Sequence, residues 1–449
     1  MASSFTSAIA RPVASIPSVP GWPLLGNLPA FRRDTLATFD DAARTGPIAR
    51  LQFVHIPIYV ITDADLAQAV LSERAASFVK SASLDFMQPV FGNGLLLAEG
   101  EIHKRHRKLL APAFAPKRLD DYGAIMVEET IRQLATWRSG QRIDVAEEMS
   151  QITLAIVGRT MFGADVRGVA SQVAEGLGLG LRAQQADWRL PIRLGFDWLP
   201  RHRMLRRSVQ LLDEVVYRLI EEGRKRGSAR SDVLSILLLL RDEEGGLSDR
   251  EVRDEVMTLL IAGHETTANA LTWTWYELAR HPNVLDKLAN EIAPLGDRVL
   301  TVDDLTKLPY NLAVIEEAMR LHPAVYATSR QAVEAVEIGG HRLPKGAFVV
   351  INIRGIHRRT DYFPTPDTFI PDRMLADQKK ARPRHHYIPF GAGPRVCIGP
   401  HFAMLEAQLA LATMVQRVRL RLISQEIKLD PGVTLRPLGG MPATVELHT

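Results

Sequence analysis

The segment Phe390-Gly-Ala-Gly-Pro-Arg-Val-Cys-Ile-Gly399 (FGAGPRVCIG) holds the only cysteine in a chain of 449 residues. A lone thiol is usually an inert core residue. Its neighbours here argue for a different use. Gly391, Gly393 and Gly399 let the backbone approach a flat ligand closely. The loop delivers Cys397 to the start of a helix, expected from about Pro400 to Leu420, whose amide groups favour a thiolate. Arg395 lies two residues away, within reach of an anionic substituent of such a ligand. One cysteine closes no internal disulfide and builds no cysteine-rich zinc or iron–sulfur site.

Composition bounds the rest. With 46% hydrophobic residues the chain has ample material for a core, which excludes a wholly disordered protein. Fifty-five basic against 51 acidic side chains leave a formal charge of +4, too small to imply nucleic-acid binding. The first 27 residues lack the long apolar core of a signal peptide or membrane anchor. Residues 1–16 are therefore expected to form a flexible leader, and 17–449 a single soluble, cytoplasmic domain.

Helical periodicity dominates from Gly100 to about Leu240. The longest helix is expected over 249–280, with others over 282–293 and 303–321. Strand signals are few. Ala49 to Thr62 (ARLQFVHIPIYVIT) suggests a hairpin, and Gly339-Gly-His a tight turn within 334–353. VTLRPL and ATVEL, around Gly439-Gly440, suggest a final hairpin. Pro364, Pro366, Pro371 and Pro383 deny regular structure to some thirty residues, so other parts of the chain must hold that stretch in place. The fold class is mainly α with small β-sheets.

A cysteine thiolate as sole protein ligand on a glycine-rich loop is one known way of holding haem iron. Phe390, Gly393, Arg395, Cys397 and Gly399 match F-x-x-G-x-R-x-C-x-G position for position, and the chain here resembles the cytochrome P450 family. The resemblance implies the α+β triangular-prism fold of that family and haem b (heme, iron protoporphyrin IX) as cofactor. It implies Cys397 as the metal ligand, with Gly391 in the same loop and Phe390 packed beside the sulfur.

Three further stretches extend the match. Glu317-Ala-Met-Arg320, on a helix with one apolar face, is by spacing alone a solvated i,i+3 pair. It resembles the family's E-x-x-R helix, which implies a buried structural triad with Arg373. Ala262-Gly-His-Glu-Thr-Thr267 interrupts an apolar run in the longest helix, where Gly263 makes sense if room is needed beside a ligand. There the Thr266 hydroxyl can bond the Ala262 carbonyl one turn back. These residues are similar to the family's distal acid–alcohol pair, which implies that Glu265 and Thr266 deliver protons to bound dioxygen and that Ala262 faces the haem. His264 occupies the variable position and is expected to be satisfied away from iron.

His103-Lys-Arg-His-Arg107-Lys108 is, as a charge run, a solvated helix face. The family's comparable helix implies that Arg107 reaches a haem propionate. His103 stands where the family has tryptophan, and its ring N–H can donate to a carboxylate. Arg330 resembles a further propionate partner. Lys104, Arg105, Lys108, Lys117 and Arg118 would give this side a positive surface suited to an acidic electron donor.

The activity implied is insertion of one oxygen atom from O2 into an apolar substrate, such as a fatty acid, terpenoid or steroid. By analogy the pocket uses Leu95, Leu96, Ala262, Thr266, Thr267, Ala324, Val325 and Ala327, with Trp188 to Pro200 at its entrance. Electrons would pass from NAD(P)H through a reductase and an acidic ferredoxin or flavodoxin to a monomeric enzyme. A peroxide-driven peroxygenase of the same fold and a non-catalytic haem-based ligand-binding protein are the competing readings. A zinc or thiol enzyme is opposed by the lack of histidine ligand spacing around Cys397.

Overall fold

A computed structural model describes residues 15–189, 200–227, 232–242 and 246–448. Most of the expected leader, most of the entrance stretch Trp188 to Pro200 and the turn around Glu243 lie outside the described residues. The chain forms two compact units. One comprises residues up to Ala82 together with Ala327–Ile356 and Gly391–Val396, and the other comprises Ser83–Tyr326, His357–Phe390 and Cys397–Thr449.

The first unit is built on a five-stranded sheet. Ile48–Phe53 and Ile56–Ile61 form the expected hairpin, and Phe348–Ile351 runs parallel to the second of these strands. Thr328–Ala332 and the short Phe78–Val79 complete the sheet. β-Branched residues carry this sheet, buried in continuous runs in its inner strands, with Ile48, Val60, Ile61, Val349 and Ile351 fully buried. A separate hairpin, Val336–Ile338 with His341–Leu343, turns at Gly339-Gly340.

The second unit is mainly helical. Its axis is Asp249–Arg280, a helix of 32 residues that is buried over most of Val252–Leu278 and so cannot be a surface helix. Ser248 caps it, accepting from the Glu251 N–H at 3.3 Å while Glu251 Oε2 accepts the Ser248 N–H at 2.8 Å. Against it pack Val145–Met161, Pro309–Leu321, Pro400–Val415 and Pro200–Arg226. Ala170–Arg189 pairs with the last of these.

Several sequence expectations are corrected. The helix expected over 303–321 is a turn of 3-10 helix at Val302–Lys307 followed by Pro309–Leu321, because Pro309 cannot continue a helix but starts one well. The final helix stops at Val415, and Val418–Leu422 is a strand. VTLRPL and ATVEL do not pair with each other. Leu435–Pro437 pairs with Leu429–Pro431, whereas Pro442–Leu447 lies between Val418–Leu422 and Arg142–Asp144. The proline-rich segment also holds a short helix, Ala376–Ala381.

Candidate active site

Cys397 lies in the second unit, two residues before Gly399, the cap of the helix Pro400–Val415. Its N–H bonds the Phe390 carbonyl at 3.0 Å, closing the loop, and Phe390 packs half-buried against the helical core. The thiol is exposed. Surrounding protein nevertheless pushes its pKa up, against the pull of the Gly399 N–H and the Arg107 charge. The helix start alone therefore does not yield a thiolate, and a coordinated metal ion would deprotonate the sulfur outright.

Gly391, Gly393 and Arg395 belong to the first unit. Gly393 has φ +69°, and a Cβ there would stand 1.8 Å from the Leu71 carbonyl oxygen. No other residue fits that contact. Arg330, in the same unit, is buried and donates from Nη1 to the Ser329 carbonyl at 2.8 Å and to the Thr328 hydroxyl at 3.2 Å. Ala327 also lies in this unit.

The centre of the long helix is opened on one side. Ala262 is exposed, and Gly263, Glu265 and Thr266 keep accessible surface in a helix otherwise enclosed by core. The Thr266 hydroxyl donates to the Ala262 carbonyl at 2.8 Å. Gly263 has a different reason from the one its sequence suggested. A Cβ at this position would lie 3.2 Å from Val157 Cγ2, so the glycine lets the neighbouring helix Val145–Met161 approach closely. His264 is buried, with its ring donating to the Leu260 carbonyl at 3.1 Å, and burial lowers its pKa so that it is neutral.

Glu265 is held by a distant part of the chain. Its Oε1 accepts the Thr434 hydroxyl at 2.5 Å and lies 2.9 Å from Arg436 Nη2. Leu95 is packed into the core and Ala324 is buried, while Leu96 and Val325 keep accessible surface. Thr267 is buried and faces Glu406.

Glu406 was not singled out from sequence, although one acid in the apolar run Phe402 to Val415 is a legible signal. Its carboxyl is fully buried, and neither oxygen completes a hydrogen bond among the described residues. Burial pushes its pKa well above the usual carboxylate range, with the Thr267 hydroxyl the opposing influence. Burial thus favours the protonated, neutral form of this acid.

His106 was likewise passed over within the basic run. The helix Gly100–Leu110 buries it, with Nδ1 2.7 Å from Glu255 Oε1 and Nε2 3.2 Å from Glu251 Oε1. Burial works to lower its pKa, but the two carboxylates prevail and raise it. His103 is also buried, Arg107 is half-buried, and Lys104, Arg105 and Lys108 are exposed. Lys104 pairs with Glu101 at 2.7 Å and Arg105 with Glu251. The positive face is thus partly neutralised from within, and the Lys117 side chain lies outside the described residues.

On the helix Pro309–Leu321, Arg320 and Glu317 are both fully buried, with Nε–Oε2 at 2.8 Å and Nη2–Oε1 at 2.9 Å. Arg373 Nε lies 3.1 Å from Glu317 Oε1. Arg320 also donates to the carbonyls of His357 at 2.9 Å, Pro366 at 2.7 Å and Thr368 at 3.3 Å. These bonds hold the proline-rich segment. His357 in turn accepts the Ile388 N–H at Nε2, at 2.9 Å, and burial with neighbouring arginines brings its pKa down to about 3.

The chain thus carries a single accessible thiol after a glycine-rich loop, a central helix opened at Ala262 and Thr266, and a buried Glu–Arg pair bracing the proline-rich segment. The family model for cytochrome P450 matches residues 16–441. The chain belongs to the cytochrome P450 family.

Among P450 relatives, cyclooctatin synthase of Streptomyces melanosporofaciens is 34% identical over 445 residues, covering 94% of this chain and 92% of that one. Pentalenene oxygenase of Streptomyces avermitilis is 31% identical over 419 residues, with 93% and 92% covered. The crystal structure of the cytochrome P450DA heme domain matches with a TM-score of 0.86 at 26% identity, over 98% of this chain and 99% of that one. P450 proteins are haem-thiolate monooxygenases, mainly helical with small mixed sheets, and this chain has that fold and that general activity. Its donor set fits the cofactor, because Cys397 offers an accessible soft sulfur donor that a bound iron would deprotonate, and the Arg107 charge lies close enough to act on that sulfur. Among the described residues no helix is long and apolar enough to cross a membrane.

Proposed function

We propose that this P450 inserts one oxygen atom into a cyclic, largely apolar unsaturated compound, with Cys397 as the haem ligand and Glu265 with Thr266 as the proton-delivering pair. The overall change is R–H + O2 + 2 e⁻ + 2 H⁺ → R–OH + H2O. Haem, when bound, supplies the electron transfer and oxygen activation. The chain's own part is to bind and orient the substrate, limit water and move protons. Arg107 and His103 lie on the helix that would face the propionates.

The observation that carries this reading is the opened face of the long helix, where Ala262 is exposed in the middle of a buried element and the Thr266 hydroxyl is bonded to its carbonyl at 2.8 Å. That bond draws a main-chain carbonyl toward a side chain, weakens the helix locally and leaves a hydroxyl where water can be organised. Leu96, Ala262 and Val325 offer accessible surface that is small or aliphatic, which suits a hydrocarbon skeleton. The names of two similar proteins, pentalenene oxygenase and cyclooctat-9-en-7-ol 5-monooxygenase, denote an alkene and an unsaturated alcohol.

Electrons are proposed to come from NAD(P)H through a reductase and a small acidic ferredoxin that meets the face bearing Lys104, Arg105 and Lys108. The deciding experiment is the absorption spectrum of the reduced, carbon-monoxide-bound protein, followed by titration with cyclic alkenes and with linear fatty acids of equal carbon number. A thiolate-type spectrum with shifts induced by the cyclic set supports the proposal. Tight binding of the fatty acids alone would overturn the substrate class, and an unaltered spectrum in Cys397→Ala would overturn the ligand assignment.

A further inference from the structure

The Glu265 carboxylate has two oxygens in different situations. Oε1 accepts the Thr434 hydroxyl at 2.5 Å and faces Arg436 Nη2 at 2.9 Å, whereas Oε2 accepts no hydrogen bond among the described residues. The direction of the Thr434 bond follows from its other contacts. Asn269 Nδ2 donates to Thr434 Oγ1 at 3.2 Å and Arg436 Nε at 3.3 Å. Both are donors only, so they occupy the lone pairs of the hydroxyl and its single proton must go to Glu265.

The group that does this is itself fixed. Thr434 and Asn269 are buried. Between Thr434 and Arg436, Leu435 is pinned by its own backbone, its N–H bonding the Ala324 carbonyl at 2.9 Å and its carbonyl accepting the Trp273 indole N–H at 2.9 Å. The Arg436 Nη2 contact, by contrast, lies within ion-pair distance but is not aligned as a hydrogen bond. Thr434 thus makes the directional contact, and Arg436 supplies charge behind it.

We propose that Thr434, backed by Arg436, is a positioning residue that binds Oε1 of Glu265 and leaves Oε2 as the oxygen that takes up and hands on protons. A carboxylate free to rotate would present either oxygen, or turn both to solvent. One that is held at Oε1 presents the same oxygen at every turnover. The inference rests on the proposed role of Glu265 in proton delivery, and the experiment separates the two claims.

Haem-loaded wild-type protein and the variants Glu265→Gln, Thr434→Val, Thr434→Ser and Arg436→Met are supplied with NADPH, a ferredoxin and its reductase, and pentalenene. Product and hydrogen peroxide are measured per O2 consumed. Thr434→Val keeps shape and loses the hydroxyl, so the product fraction is expected to fall roughly tenfold in favour of peroxide, with Thr434→Ser restoring most of it. If Glu265→Gln diverts oxygen to peroxide but Thr434→Val does not, the positioning role is overturned while proton delivery by Glu265 stands. If Glu265→Gln has no effect, both fall.

A readout independent of turnover accompanies this. In guanidinium unfolding of the same haem-loaded proteins, Thr434→Val is expected to raise the unfolding equilibrium constant about tenfold when Glu265 is present and less than about threefold in a Glu265→Ala background. Equal effects in the two backgrounds would overturn the contact. Should Thr434→Val fail to load haem, Arg436→Met decides instead, with a smaller diversion to peroxide expected and none overturning the proposal.

Discussion

Replacing Arg320 by methionine isolates what the buried charge on the helix Pro309–Leu321 contributes. The guanidinium is fully enclosed and makes two bonds to Glu317, at 2.8 and 2.9 Å, and three to the carbonyls of His357, Pro366 and Thr368. Removing one member of a buried ion pair costs about 3–5 kcal/mol, because the other charge is left without its partner. Each carbonyl stranded away from water adds about 1 kcal/mol at the lower end of the usual range. Two contacts soften the loss, since Glu317 Oε1 keeps the Ile370 N–H at 3.0 Å and Arg373 Nε lies 3.1 Å away. The expected net cost is about 4 kcal/mol. Guanidinium unfolding of the haem-loaded protein, followed by far-ultraviolet circular dichroism, measures it. Combining Arg320→Met with Glu317→Gln should cost about 2 kcal/mol less than the sum of the two single changes. Arg320→Lys, which keeps the charge but loses the planar fork, should cost about 2 kcal/mol. A cost below about 1.5 kcal/mol for Arg320→Met, or strict additivity in the double variant, would refute the reasoning.

Other outcomes follow from the same geometry. Gly393→Ala forces a side chain into φ +69° with its Cβ against the Leu71 carbonyl, so it should cost about 3 kcal/mol and reduce haem content at a fixed haem supply. Glu406 is raised well above its reference of 4.5, so the native state holds its proton more tightly than the unfolded chain; the stability this gives is complete below about pH 4.5 and is lost as pH rises toward the folded-state value. Glu406→Gln abolishes that term, and its stability relative to wild type should therefore improve between pH 5 and pH 8 in parallel unfolding experiments. Thr266→Ala removes the hydroxyl bonded to the Ala262 carbonyl, and product per O2 consumed is expected to fall on the order of a hundredfold, with peroxide taking its place.

Local chemistry was legible in the sequence wherever a rule acts within a turn or two. The cysteine loop, the Thr266-to-Ala262 spacing and the Gly339-Gly340 turn are all of this kind. So was the central helix over 249–280, because its apolar positions recur over many turns. Expectations failed where the partner lay elsewhere. Pro442–Leu447 met Val418–Leu422 and Arg142–Asp144 instead of its neighbour in sequence, since strand pairing is decided by tertiary contacts and not by proximity along the chain.

The sequence by itself determined the candidates for the chemistry: one thiol on a glycine loop, one acid–alcohol pair and one Glu–Arg spacing, each defined by side-chain type and local interval. Tertiary structure alone decided their electrical state and company. Glu265 is bonded to a hydroxyl 169 residues away, Gly263 faces Val157, and Glu406 is stripped of water by the helices around it. The reason is that spacing along a chain fixes which face a side chain takes, whereas solvation and long-range hydrogen bonding depend on which surfaces are finally pressed together.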